Sequence, residues 1–339
     1  VIVTEGIAEG EMPGAVVVVA DRHRVLYQQA FGDRQIEPTR EKMTVDTVFD
    51  LASLTKPIAT ATSVMRLVQL GEIDLDQPVS TYLPEFAAAG KEAITVGDLL
   101  LHVGGLIPDN ALADYEEGPD VAWKQICELK PMAARGERFA YSDVGFIVLG
   151  KLVERVSGKS LDRFARDEIF LPLDMKRTTF VPNRALAADA APTEQRGGRW
   201  MRGEVHDPRA YRLGGVAGHA GLFSTAGDLV RYGQMMLSKG DGGVLDPATF
   251  TTMTKRRKVP RGTRTYGWDH RSPYSSNRGE SFSDAAVGHG GFTGTVIWID
   301  PELERVFIFL SNRLHPDGKG TVNRLAGRIA TLVGTLEMD

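Results

Sequence analysis

Both ends of this chain read as sheet and the stretch between them reads as helix, so the fold has to bring the termini together. Near the start, Gly14-Ala15-Val16-Val17-Val18-Val19-Ala20 is an apolar run of strand length. Asp21-Arg22-His23 supplies a turn, and Val25 to Phe31 reads as the returning strand. Near the end, Val287 to Ile299 carries Thr295-Val296-Ile297-Trp298-Ile299, and Arg305 to Asn312 carries Val306-Phe307-Ile308-Phe309-Leu310. The linker Asp300-Pro301-Glu302-Leu303-Glu304 suits a tight reversal. Between these ends the apolar spacing predicts helices from Ser53 through Val68, Val96 to His102, Val121 to Leu129, Val144 to Val156 and Leu161 to Phe170. Thr225-Ala226-Gly227-Asp228 reads as a capping box opening a helix through Met236, and a last helix covers Val322 to Leu336. Ser272 to Asp284 is polar and reads as a loop.

The expected architecture is therefore α/β in the α+β sense, with one antiparallel sheet flanked by helices. Residues 1–58 and 215–339 would build a discontinuous sheet domain, and 59–214 a mainly helical one. A length of 339 residues allows a large core. Apolar content of 42% and charged content of 25% fit a soluble globular chain. A net charge of −4 gives no electrostatic argument for nucleic acid or a membrane surface, and no apolar run reaches membrane-spanning length. The cluster Lys255-Arg256-Arg257-Lys258, continuing to Arg261 and Arg264, reads as a solvated loop, with a polyanion contact as the other reading. One cysteine, Cys127, excludes an internal disulfide and a cysteine-rich metal site. The chain begins at Val1, which fits a removed signal peptide, so a periplasmic or secreted location and a cytoplasmic one both stay open. Oligomeric state is not legible.

Chemistry concentrates in three segments. Ser53-Leu54-Thr55-Lys56 places a serine and a lysine three apart at the start of a helix, hence on one face. Free N–H groups and the positive dipole end there favour a developing anion. Pro57 is tolerated in a first turn. An S-x-x-K arises about once by chance in a chain this long, and Ser53 has the plainer reading of a helix N-cap. A serine nucleophile needs a base, and desolvation or nearby cations would lower Lys56 toward that role. Tyr141, on a loop before the helix starting near Val144, is the companion phenol; Asp143 has an ordinary reading as that helix's N-cap. Gly288-His289-Gly290-Gly291-Phe292 puts glycines inside a strand, which marks close approach by a ligand or another backbone. His289 alone reads equally as a sheet-surface histidine.

Taken together, Phe49-Asp50-Leu51-Ala52-Ser53-Leu54-Thr55-Lys56, Thr95 to Leu106, Tyr141-Ser142-Asp143, Gly221 to Leu229 and the His289 segment resemble the serine β-lactamase and penicillin-binding-protein superfamily. The resemblance is to class C-like members, including D-alanyl peptidases, muramyl-L-alanine amidases and β-lactamase-like esterases, and it covers nearly the whole chain. It implies a β-lactamase/transpeptidase-like fold and a cofactor-free, metal-free serine hydrolase. Ser53 would be the nucleophile, Lys56 and Tyr141 would share general base and acid roles, and His289 would be the fourth catalytic residue. The backbone N–H groups of Ser53 and Phe292 would form the oxyanion hole, with Asp143, Gly290 and Gly291 in the substrate site. His102 falls in a structural part of the pattern, and His219 is a candidate lining residue. Two positions depart from class C: His289 stands where Lys is usual, and Asp143 where Asn is usual. Histidine is a weaker cation and an ionised aspartate only accepts hydrogen bonds, so weak β-lactam turnover is expected.

His206-Asp207-Pro208, Gly214 to Leu222 and Ser311-Asn312-Arg313-Leu314-His315-Pro316 resemble peptidoglycan-recycling members, which tilts the substrate toward cell-wall fragments of muropeptide or D-Ala type. A short-chain carboxylesterase, a class C-like β-lactamase and a penicillin sensor without turnover are the alternatives. A metallohydrolase is disfavoured because none of the seven histidines forms an H-E-x-x-H or H-x-H pair, and an α/β-hydrolase because no G-x-S-x-G is present.

Overall fold

The computed structural model describes residues 1–240 and 243–336. Its strands are β1 (Gly14–Ala20), β2 (Val25–Gln35), β3 (Glu41–Lys42), β4 (Phe49–Asp50), β5 (Gln195–Arg196), β6 (Arg199–Trp200), β7 (Phe223–Ser224), β8 (Arg257–Val259), β9 (Gly262–Arg264), β10 (Asp269–Arg271), β11 (Val287–Gly291), β12 (Thr295–Asp300) and β13 (Arg305–Ser311). Nine of them form one sheet in the order β3-β2-β1-β13-β12-β11-β10-β9-β8. The two termini meet at its centre: β1 runs antiparallel to β13, with Val18 opposite Ile308. These two strands are buried along their whole length, which explains their unbroken apolar runs.

Each sheet face covers a different core. Val16, Val18, Ile297, Ile308 and Leu310 pack toward the helical region, while Val17, Val19, Val296, Trp298 and Phe307 pack toward the terminal helix Asn323–Gly334. The alternation follows from the two-residue period of a strand.

Most expected helices are present within a few residues, including Pro119–Glu128, Asp143–Ser157 and Ala226–Leu237. Two details differ. At Thr225 only half of a capping box forms: its hydroxyl accepts from Asp228 N, but the Asp228 carboxylate turns to Thr178 and Arg177 N instead. The complete capping box is Thr95 with Asp98. The basic run is solvated at Lys255, Arg256, Lys258 and Arg261 but is not a loop. Its residues 257–264 form the edge hairpin β8–β9, and Arg264 at its end is fully buried against Asp269.

Candidate active site

Ser53 sits on a sharp turn wedged between sheet and helices. β4 leads into it, and Ala52 adopts φ of +45°, a left-handed conformation costly for a residue with a side chain. The surroundings hold it there. Asp50 accepts from Ala52 N at 2.8 Å and from His206 N at 2.7 Å. Thr293 Oγ1 donates to Asp50 O at 2.7 Å, and Thr295 Oγ1 to Leu51 O at 3.1 Å, tying the turn to the β11–β12 hairpin. A Cβ on Gly291 would collide with Leu51 O and Thr295 Oγ1. Close approach at that glycine is thus by the Ser53 turn itself. After Ser53 the chain runs through a π-helical stretch, Lys56–Ala61, before becoming α-helical at Thr62; π-segments often mark functional sites.

Lys56 is wholly buried, and its Nζ makes two hydrogen bonds and one ion pair. It donates to Ser53 Oγ at 2.9 Å and His219 O at 3.0 Å, and pairs with Asp143 Oδ1 at 2.6 Å. Burial opposes its charge most strongly, yet the Asp143 carboxylate and then Tyr141 hold its pKa above the ordinary lysine value. This corrects the expectation that desolvation lowers Lys56: a carboxylate in contact outweighs it, and the resting group is an ammonium. The N-cap expectation for Asp143 is corrected too. Ser142 caps that helix, its Oγ accepting from Gly145 N at 3.1 Å, which leaves Asp143 as the partner of Lys56.

Tyr141 faces the same cleft, with Lys56 Nζ 4.9 Å from its ring centroid. Its hydroxyl is buried without a well-aligned hydrogen bond. Burial raises its pKa, Lys56 opposes this, Asp143 adds to it, and the net direction is upward, so it rests as a neutral phenol. His102 lies behind it, ring stacked on Tyr141 at 4.5 Å, with Nδ1 accepting from Ser142 N at 3.0 Å. It holds the Tyr141 loop from outside the cleft.

His289 lies 5.9 Å from Tyr141, ring to ring, and its Nδ1 bonds Gly290 O at 2.8 Å. Burial, then Arg264 and Lys56, push its pKa well below the usual histidine range, so it is uncharged. The fixed cation beside it is Arg264, which the basic run concealed. Gly290 would carry a Cβ into Asn277 Nδ2. His219 does line the cleft: its ring nitrogen Nε2 contacts Asp207 Oδ1 at 2.9 Å. Burial works against the Asp207 charge, but His219 and backbone N–H donors hold it below the usual carboxylate range. Among the described residues, Asp143, Asp207 and His219 form the one group of three that could hold a metal ion. The Lys56 ammonium already stands against one of its carboxylates.

The cleft has two lobes, of about 290 and 410 Å³, both lined by Ser53, Tyr141, Tyr274 and Phe292. Serine, lysine, tyrosine, His289, Gly290, Gly291 and Phe292 thus converge from three distant stretches of chain, with Asp143 beneath them. Asp207 entered the sequence reading only through the His206-Asp207-Pro208 resemblance and Arg264 only as the end of the basic run, and Tyr274 was not singled out. None was expected in the cleft, which each reaches through long-range packing.

Comparison with known proteins supports the same grouping. The chain is 33% identical to an N-acetylmuramyl-L-alanine amidase of Bacillus subtilis (strain 168), over 93% of this chain and 80% of that protein. It is 30% identical to an Escherichia coli (strain K12) protein provisionally named a D-alanyl-D-alanine carboxypeptidase, over 89% of this chain and 79% of the other. The octameric penicillin-binding protein homologue of Pyrococcus abyssi superposes with a TM-score of 0.76 at 26% identity, covering 98% of this chain and 76% of that one. The sequence profile described as Beta-lactamase matches residues 2–332, and the chain belongs to that family, as a serine hydrolase with the β-lactamase fold.

Proposed function

We propose that the protein hydrolyses an amide bond in cell-wall muropeptides through an acyl-Ser53 intermediate. The observation that carries the chemistry is the 2.9 Å contact between Lys56 Nζ and Ser53 Oγ in a cleft shared with Tyr141. Because Lys56 rests as an ammonium, it must shed a proton before it can act as a base. Asp143, 2.6 Å away, is the acceptor within reach, and the neutral amine then takes the Ser53 proton. Ser53 Oγ attacks the carbonyl, whose oxygen gains negative charge opposite the N–H groups of Ser53 and Phe292. The C–N bond breaks as the leaving nitrogen receives a proton by way of Tyr141 or Lys56. Water then hydrolyses the acyl-serine, regenerating Ser53 and releasing the acid. His289 remains neutral and packs against Tyr141, with Gly290 and Gly291 giving the substrate a strand edge.

Similarity to the Bacillus subtilis amidase supports the muropeptide substrate, and similarity to the Escherichia coli relative supports D-alanyl peptides as the second reading. Neutral short-chain esters need only the Ser53 machinery and are expected to be cleaved, whereas β-lactam turnover is expected to be weak. The test sets N-acetylmuramyl-L-alanine, a D-alanyl-D-alanine peptide, a p-nitrophenyl ester and a chromogenic cephalosporin side by side. A fluorophosphonate adduct is mapped in parallel by mass spectrometry. Labelling elsewhere with Ser53 untouched, or cephalosporin turnover well above the others, overturns the proposal.

A further inference from the structure

The two lobes that meet at Ser53 differ in charge. The smaller is lined by Arg264, Arg313, Asn277 and Asn323 together with Asp269, which is paired with Arg264, so Arg313 supplies its uncompensated charge. The larger is lined by Asp109, Asp143 and Asp207 with His206 and His219. In that acidic lobe Asp143 is engaged by Lys56, but the other acceptors are not exhausted. The bonds to Asp207 from Arg209 N, Ala210 N and His219 all fall on Oδ1, leaving Oδ2 as an acceptor. Asp109 is exposed and pairs with Arg209 at 3.4 Å. His219 is 1% exposed, yet its Nδ1 has no partner. An unpartnered polar atom in a buried residue of a lining wall is costly unless a ligand or water completes it.

Aromatic surface adds an independent signal. Phe292 is 61% exposed and Tyr274 54% exposed, and both stand at the junction of the two lobes, lining each, so the charge of the wall decides which lobe pairs with them for a given ligand. Phe292 is held in place nonetheless, stacked on His206 at 5.7 Å and covered by the Arg313 guanidinium at 4.6 Å. Large apolar faces left open at a polar cleft mark a surface for something that is apolar on one side and polar on the rim. A pyranose ring has that form: C–H groups on its face and hydroxyl donors around its edge. Carboxylates, which only accept, suit those donors and repel an anionic peptide.

We propose that the lobe lined by Asp109, Asp207, His219, Tyr274 and Phe292 is a carbohydrate subsite that takes the sugar-bearing acyl half of the substrate. The amino-acid half, with its carboxylate, lies in the arginine-bearing lobe and departs from there. The assignment rests on the muropeptide reading above and adds the direction in which the substrate lies across Ser53. For N-acetylmuramyl-L-alanine the larger volume goes with the bulkier, sugar-bearing half.

The test uses the full-length Ser53→Ala protein, so that binding is read without turnover. Titration with methyl N-acetylglucosaminide, a neutral pyranose, and with the acidic dipeptide L-alanyl-glutamate is followed by ligand-observed NMR. Asp109→Ala in that background should weaken the sugar by about tenfold, the effect of one hydrogen bond to a charged group, and should not weaken the dipeptide. Phe292→Ala should also weaken the sugar, and Asp109→Asn less than Asp109→Ala. Failure of the sugar to bind, or equal losses for sugar and dipeptide, overturns the assignment. If the sugar behaves as stated while the unmodified protein releases no alanine from N-acetylmuramyl-L-alanine, the amidase reading alone falls.

Discussion

Two buried cations flank Tyr141, and they are built in opposite ways. Lys56 comes from the Ser53 helix, donates hydrogen bonds to Ser53 Oγ and His219 O, and is ion-paired with Asp143. Arg264 comes from the edge hairpin β8–β9, pairs with Asp269 through Nη1 at 3.1 Å, and leaves Nε and Nη2 without partners. Both are 0% exposed. A lysine can lose its proton and an arginine cannot, so the two positions hold different kinds of charge. The satisfied cation next to the nucleophile is the one able to carry a proton. The other is a fixed charge whose field falls on Tyr141, His289 and His102. Arg264 and His289 line the same lobe, so a fixed positive charge stands beside the neutral His289.

The strongest break of this comparison is to remove the mobile cation. Lys56→Ala and Tyr141→Phe should each lower kcat by roughly 10²–10⁴-fold, the usual contribution of a positioned acid or base. The double variant should lose little more than the worse single one, because both serve one proton path. Multiplicative losses would show that the two groups act independently. Asp143→Ala should also reduce activity, and it leaves Lys56 buried without its anion. Since folding raises the Lys56 pKa, the stability gained from its pairing is complete below the ordinary lysine range and is lost as pH rises through the folded value. Asp143→Ala should therefore lower the melting temperature at neutral pH and flatten its decline in alkali.

Removing the fixed cation tests stability more than rate. Arg264→Leu strands Asp269 in the interior, at a cost of about 3–5 kcal/mol. Adding Asp269→Asn should recover part of that loss by denaturant titration, because the buried charge goes with its partner. If the single and double variants unfold at the same midpoint, the pair does not carry the energy assigned to it.

The difference between these cations also explains what could be read from the chain. The contact of Lys56 with Ser53 was legible because residues three apart on a helix share a face, whereas the choice of Ser53, Lys56 and Tyr141 as site residues came from the family resemblance. Gly290 and Gly291 were legible because a strand glycine needs a steric reason. That reason proved to be Asn277 and the Leu51 carbonyl. Central β1 and β13 are legible because a strand buried on both faces must be apolar throughout. Asp143 was misread, since a helix start offers both Ser142 and Asp143 as caps and only packing against Lys56 decides between them. Arg264 was hidden for a related reason. Nothing near Lys255-Arg256-Arg257-Lys258 indicates that one arginine of the run turns inward to meet Asp269 while its neighbours stay at the edge.

The smallest expected effect concerns His289, which lies between the two cations. Burial first, then Arg264 and Lys56, depress its pKa, so the folded chain keeps it neutral. An unfolded chain protonates that histidine below about pH 6.5. The unfolded state therefore binds the extra proton in acid, and stability falls as pH decreases from there, at a limiting slope of about 1.4 kcal/mol per pH unit for one group. His289→Gln should flatten the acid side of the stability curve by up to that slope and leave neutral stability nearly unchanged. His102, also buried and depressed, continues to contribute its own share. The same geometry gives His289→Lys an unfavourable outcome: a third buried cation would stand beside Lys56 and Arg264, so the variant should melt lower at neutral pH and recover in alkali as the new amine loses its proton. A His289→Lys protein as stable as the parent at pH 7 would mean that Arg264 and Lys56 do not repel a cation at position 289.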